Sequence, residues 1–98
     1  MEDELLSLKN LGKTSAQWLH ASGIHNAADL HRMGAIQAYR AVQTRGFRTS
    51  KTLLYAIEGA LRDRHWYDLS LEIKDSLNRQ LIRLDQELVQ PHEGIIGK

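Results

Sequence analysis

The sequence predicts an all-α fold, a compact bundle of five or six helices. Three observations carry that prediction. Apolar residues recur at helical spacing along nearly the whole chain, runs of β-branched residues are absent, and the only proline, Pro91, stands near the end, where it stops a helix rather than breaking one. At 98 residues and 42% hydrophobic composition the chain can close one core but not two. Residues 1–90 are therefore read as a single helical domain and 91–98 as a disordered tail.

The elements follow in order. Asp3 to Lys9 is predicted as a short first helix, with Leu5, Leu6 and Leu8 apolar and acidic residues at its positive end. The stretch Asn10-Leu11-Gly12-Lys13 reads as a tight turn. Thr14, with Gln17 three residues on, is expected to cap a second helix over 15–22, which Gly23 ends by taking a left-handed conformation. Asn26 caps a third helix that Gly34 terminates, and a fourth runs from about Ala35 to Arg45, where Gly46 breaks it. Thr49 or Ser50 caps a fifth, the expected central helix, whose Leu53, Leu54, Ile57 and Leu61 form a wide apolar stripe. Ala56, Gly59 and Ala60 leave it a flat side for close packing. Leu54, Ile57, Leu61 and Trp66 are expected to be almost fully buried. Ser70 with Glu72 opens a sixth helix reaching about Val89, with Ile73, Leu77, Leu81, Leu84 and Leu88 on one stripe.

Composition narrows the function classes. No cysteine is present, which excludes disulfides, thiolate metal sites and a thiol nucleophile. No apolar stretch approaches a membrane span, and the Met1-Glu2-Asp3-Glu4 start is acidic where a secretory signal is basic, so a cytoplasmic location is expected. The five histidines offer no pair at i, i+4 on one helix, and Gly23 separates His20 from His25. No metal or cofactor is predicted. Neither a glycine-rich phosphate loop nor a nucleophile–base arrangement is evident, so the chain is read as binding rather than catalysing.

Net charge is +1, but it is segregated. Between Asp29 and Glu58 no acidic residue occurs, while Arg32, Arg40, Arg45, Arg48 and Lys51 all lie there. A basic side steers anionic partners to one surface. Arg40, Arg45, Arg48 and Lys51 surround the Gly46 turn with Phe47 among them, a combination suited to phosphate tracking with base stacking and equally to an acidic protein surface.

The segment from Leu8 to Leu19, closing with Gly23-Ile24, has the rhythm of a helix-hairpin-helix, so the N-terminal half is read as helix-hairpin-helix-like. Such hairpins bind DNA by aiming turn amides and a helix N-terminus at a phosphate, here through Gly12, Lys13 and Thr14. They usually carry two glycines, and this one has Gly12 alone, which fits a purely structural turn as well. Joined to Ala28-Asp29-Leu30, to Gly34-Ala35-Ile36-Gln37-Ala38-Tyr39-Arg40 and above all to Leu54-Tyr55-Ala56-Ile57-Glu58-Gly59-Ala60-Leu61-Arg62, the chain resembles the C-terminal domain of the TfoX/Sxy competence-regulator family. The resemblance spans about Leu5 to Leu77 and lacks the N-terminal domain of full-length members. It implies a non-enzymatic, DNA-associated accessory or transcriptional regulator of bacterial DNA uptake, acting alongside the cyclic-AMP receptor protein. A protein-interaction module without nucleic-acid contact stays open beside it.

The last helix supplies a further candidate surface. Spacings of four, four, three and four between Ile73, Leu77, Leu81, Leu84 and Leu88 approach a coiled-coil seam. Leu81, Leu84 and Leu88 are therefore expected to contact a partner, most simply a second copy in a two-fold homodimer.

Overall fold

The computed structural model describes the backbone of residues 3–96 and the side chains of residues 3–86. Among these the fold is all-α, with four α-helices and two 3-10 turns and no strand. Helix α1 spans Lys13–Ala21, α2 Ala27–Thr44, α3 Lys51–Arg62 and α4 Leu71–Ile96; the 3-10 turns are Glu4–Ser7 and Trp66–Asp68. Four helices replace the five or six expected, for two local reasons. The first expected helix is a single 3-10 turn, because Asp3 caps it through Leu5 N–H and the Leu8 N–H closes on Leu5 O. The third and fourth run together as α2, kinked where Gly34 leaves helical geometry at φ 79°, ψ 167°. That conformation is essentially confined to glycine. The last helix, expected to end about Val89 before Pro91, continues in its backbone to Ile96, and the side chains of the expected 91–98 tail lie outside the described residues.

Capping chemistry fixes the helix starts. Asn26 Oδ1 accepts from Asp29 N–H at 2.8 Å to begin α2, and Ser70 Oγ accepts from Ile73 N–H at 3.2 Å to begin α4. Thr14 does not cap α1: the N-cap is Gly12, two residues earlier. Gly23, at φ 88°, reverses the chain after α1 and sends Ile24 fully into the core.

The core is one cluster. Leu5, Leu19, Ile24, Leu30, Val42, Leu54 and Ile57 are its largest fully buried side chains. Leu54 and Ile57 are buried as expected, whereas Leu61 and Trp66 are only partly so. The stripe of α3 is rotated toward Leu53, Ala56 and Ala60, which are buried instead. Burial of Gly59 explains the rotation. A Cβ there would stand 2.5 Å from Asn10 Nδ2 and 2.7 Å from Arg64 O, so the flat side of α3 receives the Asn10 side chain and the turn that follows α3.

Asn10, at φ 73°, is the left-handed residue of the first turn, a role Asn tolerates better than most. Its Nδ2 donates to Arg64 O at 2.7 Å and Ala56 O at 3.4 Å, and its Oδ1 accepts from Trp66 N–H at 3.1 Å. One side chain thus ties the N-terminal turn to α3 and to the turn that follows it. A second tie runs through histidines: His20 Nε2 lies 2.9 Å from Asp3 Oδ2, and His20 Nδ1 lies 2.8 Å from His25 Nδ1. The Gly23 reversal brings these two rings together although the chain spacing separates them. Among the described residues no group of three or more His, Asp or Glu side chains is arranged to hold a metal ion.

Candidate functional site

Helices α1 and α3 differ from α2 and α4 at their N-termini. Gly12 has no side chain with which to cap α1, and Ser50, at the N-cap of α3, makes no side-chain cap bond. Both helices open into the same cleft. Its volume is about 250 Å³, and Thr14 and Ser15 line it from α1, Ser50 and Thr52 from α3, with Arg48 between them. Trp18 and Trp66 form aromatic walls, and Asn10 closes the floor with Leu53 and Ala56.

Why the basic loop meets the hairpin is visible in one contact. Phe47 stacks on Trp18, ring centres 5.2 Å apart and planes inclined by 15°. This pair anchors the turn after α2 against α1 and carries Arg48 across to Thr14. Gly46, at φ 96°, supplies the reversal that makes the contact possible. Chemically, the cleft brings hydroxyl side chains from the starts of two helices together with Arg48. Partial positive charge at helix N-termini and unbonded amides is the ordinary equipment for an anion.

The seven basic-surface candidates divide. Gly12, Lys13, Thr14 and Arg48 come together at or beside the cleft, all exposed to solvent. Arg45 is the exposed C-cap of α2. Lys13, Arg45 and Arg48 make no ion pair or side-chain hydrogen bond among the described residues. Arg40 is turned away: its guanidinium pairs with Asp85 of α4 at 2.9 Å and reaches Gln43 at 3.2 Å. Lys51 is likewise engaged by α4, donating to Asn78 Oδ1 at 2.5 Å. Both cations therefore hold the last helix to the body. Sequence reasoning expects Trp66 in the core and misses Ser50 and Thr52 as cleft residues; the hydroxyl run Thr49-Ser50-Lys51-Thr52 beside the basic loop is the signal that was there to use.

The partner-contact candidates also separate. Leu81 is 8% exposed and belongs to the core, since the seam of α4 turns inward there. Leu84 is half-buried on the edge of a groove, and Leu88 lies outside the described side chains. No described helix is long and apolar enough to cross a membrane.

The fold is that of a small all-α domain. The chain belongs to the TfoX C-terminal domain family, whose model matches residues 1–81. Among solved structures it is similar to an uncharacterized protein from Listeria monocytogenes in a triclinic crystal form, at TM-score 0.76 and 28% identity over 83% of this chain and 92% of that one. A protein of unknown function from Listeria monocytogenes in a tetragonal form is similar at TM-score 0.73 and 29% identity, over 76% of this chain and 93% of that one. No curated protein matches.

Proposed function

We propose that this chain is a non-enzymatic, DNA-associated regulatory domain related to the control of bacterial competence, and that the α1–α3 cleft takes a backbone phosphate. The observation that carries the reading is the convergence of two helix N-termini without side-chain caps on one cleft that also holds Arg48. Each N-terminus alone is weak, but together with a guanidinium they favour one anion in one place. Membership in the TfoX C-terminal domain family supports the regulatory half of the reading. The cyclic-AMP receptor protein is the protein partner this reading carries over from the family.

Lys13, Arg45 and Arg48 are the cations offered to the duplex. With three phosphate contacts, log affinity falls against log salt with a slope of about −3 for each bound copy. Titration of a labelled duplex at several salt concentrations tests this, with Arg48→Ala expected to weaken binding and flatten the slope by about one. No binding at micromolar protein, or a slope near zero, overturns the phosphate reading and leaves a protein-interaction module.

A further inference from the structure

A second concavity lies elsewhere on the molecule. Between α2, α3 and α4 runs an open groove of about 670 Å³ with an apolar floor of Met33, Ile36 and Leu61, all partly buried at the edge of the core. From α4 it is lined by Glu72, Ile73, Ser76, Leu77, Gln80, Arg83 and Leu84. We propose that this groove seats the α4 helix of a second copy of the chain, running antiparallel about a two-fold axis.

The α4 wall carries opposite charges toward its two ends, each beside an apolar residue. Glu72 opens it and Arg83 stands one residue short of its other end, with opposite charge, and neither has an ion pair among the described residues. Ile73 lies just inside Glu72 and Leu84 just beyond Arg83, both apolar, and Ser76 and Gln80, both polar, lie between. The midpoints of these three pairs fall at 77.5, 78.5 and 78, beside Leu77. A two-fold contact is isologous, so residue i meets j and j meets i. Crossing near position 78, two antiparallel α4 helices bring Glu72 within one residue of the level of Arg83 of the partner subunit, twice, with Ile73 and Leu84 of the partner subunit beside them. The parallel alternative puts like charge against like at both ends and is disfavoured.

Helix α4 spans 26 residues. It is also held to its own body by few polar ties, Arg40–Asp85 and Lys51–Asn78 among them. Both ties lie away from the groove wall and survive docking.

Sedimentation equilibrium of the intact chain and of charge-reversed variants tests the proposal. The intact chain is expected to be dimeric at micromolar concentration. Glu72→Arg or Arg83→Glu alone is expected to raise the dissociation constant about tenfold, because two pairs turn repulsive. Glu72→Arg combined with Arg83→Glu restores it, since the swapped pairs re-form across the axis. Both residues are exposed, and unchanged circular dichroism confirms that the variants fold. A monomeric mass for the intact chain overturns the proposal, as does a dimer indifferent to either single reversal or a double variant as weak as the singles.

Discussion

Replacing Gly59 by alanine should destabilise this protein, against the usual rule for glycine in a helix. The rule gains about 0.5 to 1 kcal/mol from the reduced backbone entropy of alanine. Here the added Cβ stands 2.5 Å from Asn10 Nδ2 and 2.7 Å from Arg64 O, closer than such contacts are tolerated, and one of the two is backbone. Relief requires Asn10 and the 64–66 turn to withdraw from α3. That withdrawal strains or breaks three hydrogen bonds, from Asn10 Nδ2 to Arg64 O and Ala56 O and from Trp66 N–H to Asn10 Oδ1. At about 0.5 to 1.5 kcal/mol each, less the helix gain, the net loss is about 1 to 3 kcal/mol. For a chain of this size that lowers the thermal midpoint on the order of 10 °C. Thermal unfolding followed by circular dichroism measures it. Asn10→Gly supplies the control, because glycine keeps the φ of 73° while removing the side chain that the Cβ meets. Gly59→Ala should then cost less on the Asn10→Gly background than alone. A neutral or stabilising Gly59→Ala refutes the account of the clamp.

Three further outcomes follow from the packing and the charges. Leu54→Ala, at a fully buried site, should cost about 2 to 5 kcal/mol in denaturant unfolding, and Leu61→Ala, on the groove edge, about half as much; equal losses would contradict the rotated stripe of α3. Gly34→Ala should cost about 1 to 3 kcal/mol although its Cβ meets nothing within 4 Å, because φ 79° with ψ 167° strains any side chain; a stabilised variant would show that the kink in α2 is dispensable. The Asp29 carboxyl is held below its ordinary value of 3.8 by the His25 N–H it accepts and by Arg32. A depressed pKa stabilises the fold above the unfolded value and is lost as pH falls through the folded one, so the deficit of Asp29→Asn should be full at neutral pH and shrink below about pH 4; a deficit constant from pH 7 to pH 3 sinks this reasoning.

Most of the helices were legible because their signals are local. Asn26 before Asp29, Gly23 and Gly46 after their helices, and the Leu54–Ile57 stripe each act within a turn or two of themselves. What escaped depended on distant partners. Asn10 reads as an ordinary turn residue, and nothing near it announces partners 46 to 56 positions later. Its insertion under Gly59 rotates α3, which is why Leu61 reaches the groove and Leu53 the core. Gly34 carries both the stop signal of one helix and the freedom to kink a continuous one, and the flanking residues do not choose between them. At the cleft, Lys13, Thr14 and Arg48 were found by charge and turn chemistry, but Arg40 and Lys51 look identical to them in sequence. Only the return of α4 distinguishes the two sets, by supplying Asp85 and Asn78.

The cleft and the groove share no lining residue, and they meet α3 on different faces, at Leu53 and Ala56 for the one and Glu58, Leu61 and Arg62 for the other. Seating a second α4 in the groove therefore leaves both clefts open, and the dimer offers six cations, Lys13, Arg45 and Arg48 from each copy, where the monomer offers three. If both clefts of one dimer engage one duplex, the salt slope should steepen from about −3 to about −5. Leu84→Asn separates the two states without altering charge, because it weakens the apolar part of the groove contact alone. Its duplex affinity should fall and its slope return to about −3, while Arg48→Ala in the dimer should remove about two from the slope rather than one. An identical slope for the intact chain and for a Leu84→Asn variant shown to be monomeric would mean that only one cleft faces the duplex at a time, and that the two surfaces work independently.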